Sequence, residues 1–520
     1  MPDINATWTK FESNGDFNFT FGTTAPPGAS LKAPCASQPA APTGSTLSDL
    51  TQGLEKMTIT HTTSFSSAIQ ELQLLNHAVS TEVDTEEHDV KTAPVMTRPA
   101  YLLGGLASQY GVLGSVLSIH DQTNSHTPLD PRLYINTNAP FSAIVCGVQG
   151  SGKSHTVSVI LESMLIPQYS PIGACEKPLC GLVLHFSEGG SNARPNEAAW
   201  LGRAAMAGVI APSVRVYVSR SSLRTMKQVY APLGDRVQVR PLLFTEAELD
   251  AEAFLSMMAV GSSESAPLYV QTMLSILREL GEDFNYQAFK AKLEDCKQDF
   301  NPAQLAGLKQ RLALLEGFID TTGSRQTPRF KAGQLTIIDL SDPFVDSAAA
   351  CGVFEIITRL FIRADVRTGK VLVVDEAHKY LDANKGKSGL TKALLSLVRQ
   401  QRHLAMRVII STQEPTVVPP VLLDLCNVAI LHRFSSPAWW EHLVKHVSAK
   451  LSDDAFDRLV KLTAGEALIL APSGMDVVKG DGKGGASKTA TVLDRFGRRY
   501  LLVKTRKRVT ADGGASLLVL

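Results

Sequence analysis

Long uninterrupted apolar runs are missing from this 520-residue sequence. The nearest approach, residues 101–119, carries no charge but contains Gly104, Gly105, Gly111, Gly114, Gln109 and several serines, too polar for a good membrane span. No membrane partner is expected. The opening Met1-Pro2-Asp3-Ile4-Asn5 lacks the basic start and apolar core of a secretory leader, so the expected location is intracellular, cytoplasmic or nuclear. The seven cysteines are odd in number and scattered, and none forms a C-x-x-C. That excludes a disulfide framework and speaks against a zinc site, leaving reduced, buried thiols as the expectation. Net charge is also lacking: at +1 there is no global basic field to attract nucleic acid, so any such surface is local. No internal repeat of solenoid or propeller length is found.

What is present is one unmistakable stretch, Gly147-Val148-Gln149-Gly150-Ser151-Gly152-Lys153-Ser154, followed by His155. It fits G-x-x-x-x-G-K-[ST] without a mismatch. Residues 142–146 before it read as a short buried strand. After it, Val157, Ile160, Leu161 and Met164 repeat at the spacing of one helical face. Strand, glycine turn and helix form the context in which backbone N–H groups and a helix dipole hold phosphates. Lys153 is assigned to the β- and γ-phosphates of ATP, and the Ser154 hydroxyl to Mg²⁺.

A second element follows far downstream. Val371-Leu372-Val373-Val374 is wholly apolar, as in a strand buried on both faces, and runs into Asp375-Glu376. Asp375 is expected to hold the Mg²⁺ hydration shell, and Glu376 to polarise a water attacking the γ-phosphate. That glutamate separates a hydrolase from a small-molecule kinase, which needs no water activator. The run Asp375-Glu376-Ala377-His378 also spells a helicase box. Such helicases place it much sooner after the phosphate loop and carry a second, arginine-bearing motor domain. No Q-x-x-G-R-x-G-R follows here, so that reading is set aside. Gln413, ending the apolar run 408–410 with Ser411-Thr412, can hydrogen-bond both phosphate and water.

These residues carry a family resemblance. In order, the chain shows the phosphate loop, Asp339-Leu340-Ser341, Asp375-Glu376-Ala377-His378, Arg402 before Ser411-Thr412-Gln413-Glu414-Pro415, and Arg433 ending a strand. Leu462-Thr463-Ala464-Gly465-Glu466-Ala467 and a basic tail with Asp512-Gly513-Gly514 follow. It resembles the HerA/FtsK branch of ring-forming P-loop ATPases, the HerA side most closely, together with conjugation-type coupling ATPases. The resemblance implies a homo-oligomeric ring, usually hexameric, with ATP at subunit interfaces. It makes Arg402 the first candidate for an arginine finger acting in trans and Arg433 the second. Prokaryotic members carry a small β-barrel before the loop, and residues 98–139 are too few to assure one here.

The expected fold is α/β: a RecA-like P-loop NTPase with a mainly parallel sheet, a helical insertion and a C-terminal β-hairpin. Residues 1–97 form an N-terminal arm, disordered over 1–50, with one amphipathic helix over 64–79 and an acidic linker at 82–89. The ATPase domain occupies 98–245 and 326–475 around a helical block at 246–325. Residues 476–520 supply a Gly/Lys/Ser linker and a terminal hairpin over 490–509. That hairpin holds Arg495, Arg498, Arg499, Lys504, Arg506, Lys507 and Arg508, for which three readings stand. They are contact with DNA phosphates, charged protection of an edge strand, and, by the resemblance, a crossing to a neighbouring subunit's nucleotide. The functional expectation is Mg-ATP hydrolysis by a ring motor acting on DNA or another polymer. The alternative is an ATP-dependent switch or scaffold with slow turnover and no nucleic-acid substrate.

Overall fold

The computed structural model describes residues 88–104, 108–121, 124–190, 193–257, 268–320, 327–381, 389–447, 453–479 and 491–514. The expected disorder over 1–50, the helix over 64–79 and most of the acidic linker lie outside these, as does most of the Gly/Lys/Ser linker.

In chain order the strands are β1 (Val95–Thr97), β2 (Tyr110–His120), β3 (Ser125–His126), β4 (Arg132–Ile135), β5 (Ser142–Cys146) and β6 (Gly173–Ala174). Next come β7 (Cys180–His185), β8 (Ser213–Val218), β9 (Val237–Pro241), β10 (Gln334–Asp339), β11 (Lys370–Val374) and β12 (Met406–Thr412). The last are β13 (Val428–Leu431), β14 (Glu466–Leu470), β15 (Met475–Lys479), β16 (Thr491–Arg495) and β17 (Tyr500–Thr505). Eight run parallel in the spatial order β9-β8-β10-β7-β11-β12-β5-β13. Both faces of this wall are covered. Along β11, Leu372 and Val374 join one apolar cluster while Val371 and Val373 join the other. β5 and β12 divide in the same way, with Ile144 and Ile410 on one side and Val145 and Ile409 on the other. That two-sided burial is why these strands read as continuous apolar runs rather than as alternating ones.

Among the described residues between β9 and β10 lie four α-helices, Ala251–Met257, Leu268–Leu280, Tyr286–Cys296 and Pro302–Glu316. The last opens on a capping box in which Asn301 and Gln304 satisfy each other's backbone N–H, with Pro302 in its first turn. Among the described residues no helix is long and apolar enough to cross a membrane.

One expectation is corrected at the C-terminus. The hairpin over 490–509 does not form, because β16 pairs with β15 while β17 runs between β14 and β2. β17 is apolar at Leu501 and Val503, and both are buried, which an exposed hairpin could not achieve. The segment before the phosphate loop also does not stand alone. β2 and β4 pair antiparallel, β2 pairs with β17, and β1 pairs with both β4 and β15. Residues too few for a barrel of their own thus borrow strands from the far end of the chain.

Candidate nucleotide-hydrolysis site

β5, β12 and β11 are adjacent and in register, Cys146 beside Thr412 and Ile410 beside Val374. Their carboxyl ends therefore release the phosphate loop, Gln413 and Asp375-Glu376 at one edge, where ligands of open parallel sheets bind.

The loop takes backbone angles that L side chains rarely adopt, with φ +151° at Gly147, +72° at Gly150 and +110° at Gly152. Two of these glycines also answer to close neighbours. A Cβ at Gly147 would lie 2.7 Å from the Cβ of His432, and one at Gly152 would lie 2.8 Å from the backbone nitrogen of Gly465. At Gly150 nothing lies within 4 Å, so the loop is open on that side. The helix Lys153–Leu165 starts there with no side-chain cap, leaving its first N–H groups to an anion.

Lys153 is 5% exposed and donates to the Val148 carbonyl at 3.1 Å. Burial draws its pKa down, while the carboxylates of Glu376 and Asp375 act in the opposite direction. A buried ammonium resting on a loop carbonyl is suited to an arriving phosphate. Ser154 and Asp375 offer hard oxygen donors, and Mg²⁺ is usually held by one or two such protein ligands plus phosphates. The residues present therefore fit Mg-ATP.

Asp375 is held firmly. Its Oδ2 accepts from the Asn196 amide at 2.9 Å and lies 3.1 Å from His185 Nδ1. Burial pushes its pKa up, but these bonds outweigh burial and leave the carboxyl below its ordinary value. Burial likewise presses His185 down, and Asp375 with Asp339 raises it above the free imidazole. The network continues through the Tyr230 hydroxyl, which accepts from the Asn196 N–H at 2.9 Å and donates to Asp339 Oδ2 at 2.6 Å. Asp339 is fully buried and also accepts from Ser341. The Asp339-Leu340-Ser341 motif thus supports Asp375 from two strands away.

Glu376 sits in the left-handed region at φ 51°, ψ 42°, a conformation that a side chain of this size adopts only when its surroundings hold it. The holders are Gln413, whose Nε2 donates to Oε2 at 2.9 Å, and His378, whose Nε2 lies 3.3 Å from the same oxygen. The Gln413 N–H points at His378 Nδ1 over 3.4 Å, closing the set. Base candidate and γ-phosphate sensor are therefore in contact.

The arginines separate. Arg433 is exposed beside the loop, and its carbonyl accepts from the Val148 N–H at 2.9 Å. Arg402 is exposed in the turn before β12, at the other end of the strand from Gln413. Seven residues of strand put roughly 20 Å between them at about 3.3 Å per residue, so Arg402 does not reach the loop of its own chain.

The basic tail is also redistributed. Arg495 pairs with Asp89 and Arg499 with Asp494, each at 2.7 Å. Lys504 donates to the Ala464 carbonyl at 2.8 Å. Arg506 pairs with Glu162 at 2.6 Å and Arg508 with Glu197. Only Arg498 and Lys507 of the seven stand exposed without such partners among the described residues. His155, beside the loop, meets this tail at the Arg506 carbonyl, 2.8 Å away.

Asn196, Tyr230, His185 and His432 do not stand out as site residues in the sequence. One signal was available for His432. It is a polar residue directly after the buried run Val428–Leu431, as Asp375 is after Lys370–Val374. Asn196 offered none, since its loop reaches Asp375 only in three dimensions.

No protein-family model matches the chain, and no curated protein matches it. Among solved structures it is similar to VirB4 of Thermoanaerobacter pseudethanolicus, at 12% identity and TM-score 0.42, over 76% of this chain and 97% of that one. It is similar to the bacterial conjugative coupling protein TrwB at 10% identity and TM-score 0.39, over 76% and 92%. It is also similar to the genome packaging NTPase B204 of Sulfolobus turreted icosahedral virus 2, solved with AMP, at 12% identity and TM-score 0.27, over 64% and 91%. By its strand order, glycine loop and strand-end carboxylates the chain is an α/β protein with a P-loop NTPase fold.

Proposed function

We propose that the protein binds Mg-ATP and hydrolyses it as a ring motor acting on DNA or another polymer. The observation that carries the hydrolase reading is the Glu376–Gln413 contact beside the phosphate loop. It puts a carboxylate able to take a proton from water next to an amide able to hold that water and sense the γ-phosphate. Bound Mg²⁺ would neutralise developing charge on the phosphates. Lys153 binds the β- and γ-phosphates, Ser154 and Asp375 supply the metal's protein oxygens, and Asn196 with His185 keeps Asp375 ionised and oriented. Gln413 positions water and Glu376 accepts its proton. The assembly part of the proposal rests on Arg402: it lies far from its own loop, so an arginine finger at that position serves a neighbour.

The test is ATP turnover with and without DNA for the wild type and Glu376→Gln. A motor shows polymer-stimulated turnover that the substitution lowers at least a hundredfold while ATP still binds, the order expected for loss of a catalytic proton acceptor. Slow turnover indifferent to DNA, in a protein that stays monomeric with an ATP analogue, would sink the motor and favour an ATP-dependent switch or scaffold.

A further inference from the structure

Behind the phosphate loop lies a chain of polar groups, His432 and Thr156 buried and Thr505 half-buried. His432 is fully buried at the end of β13, and its backbone N–H donates to the Cys146 carbonyl at 2.8 Å, extending the β13–β5 ladder to the point where the loop begins. Its Nδ1 lies 2.9 Å from the Glu466 carbonyl and its Nε2 lies 3.0 Å from the Thr156 hydroxyl. A carbonyl only accepts, so Nδ1 carries the proton and Nε2 accepts from Thr156. The Thr156 hydroxyl, its proton spent on His432, then accepts from Thr505 Oγ1 at 2.9 Å. Every donor and acceptor in the chain is matched by a neutral imidazole, and burial holds the His432 pKa down at about 4. Lys153 and His155 face it from the loop helix and act in the same direction, while the Glu466 and Ser151 backbones oppose them.

This chain joins three elements to the loop. Thr156 is in the first turn of the helix that Lys153 opens, His432 fills the volume that glycine leaves at position 147, and Thr505 ends β17. Gly465, next to Glu466, donates to the Ser151 carbonyl at 3.0 Å and accepts from the Thr505 N–H at 3.0 Å. The Gly465-Glu466 pair is therefore a bracket between the loop and the C-terminal strand.

We propose that His432 is a positioning residue for the phosphate loop, acting through Thr156 and Thr505, so that nucleotide affinity depends on the C-terminal strand of the same chain. The proposal rests on the nucleotide-binding reading above. A neutral ring at this place fixes where the first helical turn sits, and hence where Lys153 and the uncapped amides meet phosphate. Loss of the ring's acceptor, or of the Thr505 donor, leaves a buried polar group unmatched and lets that turn relax.

The experiment uses the full chain with a fluorescent ATP analogue and steady-state turnover. His432→Phe keeps the ring volume without its nitrogens; Thr505→Val keeps shape without the hydroxyl, and decides the matter should His432→Phe not fold. Expected is a rise of about tenfold in the analogue's Kd and in KM, with kcat within about twofold, since one buried hydrogen bond is worth about that factor. Thr156→Val should behave in the same way and Thr156→Ser should return to wild-type affinity. A group that only stabilises the fold would lower the melting temperature and leave affinity of the folded protein unchanged; that result overturns the proposal. So does a fall in kcat at constant KM. A wild-type chain that binds no nucleotide would bring down the nucleotide reading itself, whereas wild-type binding with unaltered variants removes only the role of His432.

Discussion

Three side chains at the site are held against their intrinsic preferences, and each has an identifiable holder. Glu376 keeps a left-handed backbone that costs roughly 1–2 kcal/mol for a non-glycine residue, against which Gln413 and His378 fix its carboxylate. Asp375 stays ionised in spite of burial because Asn196 and His185 bond to it. His432 stays neutral because burial penalises its charged form, and the neutral ring finds a donor in Thr156 and an acceptor in the Glu466 carbonyl. The last has a consequence for pH. The folded pKa, about 4, lies below the 6.5 of a free imidazole, so the unfolded chain takes up this proton first on acidification. The contribution of neutral His432 is fully present above about pH 7 and is lost between pH 6.5 and about 4, a span worth about 3 kcal/mol. His185 acts oppositely: its folded pKa is raised, so its stabilisation is present at low pH and is lost as pH rises through that value. The melting temperature of the wild type should therefore fall more steeply from pH 7 to 5 than that of His432→Phe. Parallel curves would show that this ring does not titrate as buried.

At the scale of elements, the helix Lys153–Leu165 shows why periodicity alone is an incomplete guide. Val157, Ile160, Leu161 and Met164 mark the face against the sheet, and on that reading the other face belongs to solvent. Instead Glu162 and Ser163 are buried as well, with Arg506 bonded to both and the Val509 and Thr510 N–H groups bonded to Glu162. Glu162 is fully buried and takes donors from Val509 N at 3.0 Å, Thr510 N at 2.9 Å, Thr510 Oγ1 and Arg506. A carboxylate this well matched is strongly coupled to its partners, and breaking such a buried pair typically costs about 3–5 kcal/mol. Glu162→Gln is expected to lose stability on that order in chemical denaturation, with earlier proteolytic cleavage near residue 506. Denaturation curves unchanged from wild type would mean that the tail is not fastened there. A tail fastened by its arginines has few of them left for DNA, which moves the search for a polymer contact away from residues 495–508.

For the whole molecule the deciding feature is the distance between Arg402 and the loop of its own chain. Arg402→Ala should abolish turnover and spare ATP binding. Mixing it with Glu376→Gln subunits, which lack the base but keep the arginine, should restore part of the activity, because interfaces that combine an intact base with an intact finger then form. Mixtures that remain inactive, or loss of ATP binding by Arg402→Ala alone, would assign the residue to the structure of one subunit.

The phosphate-loop motif, with its flanking strand and helix, was legible in the chain itself because it is local. Eight consecutive residues contain the glycines, lysine and serine of the motif, and their flanking periods announce strand and helix. The same holds for Asp375-Glu376, since a strand buried on both faces must be wholly apolar and its end is visible where the carboxylates begin. Gln413 and the parallel wall were legible for that reason too. Nothing local shows that Asn196 steadies Asp375, that Tyr230 reaches Asp339, or that His432 backs Gly147, because each partner is a hundred or more positions away. The tail shows the limit most plainly. Its charge suggested an exposed hairpin, yet Glu162 is a lone acid on a helix until the fold lays residues 506–510 over it. A cation's sequence neighbours determine its charge density, and only the tertiary structure decides whether that charge meets water, a polymer or a buried carboxylate.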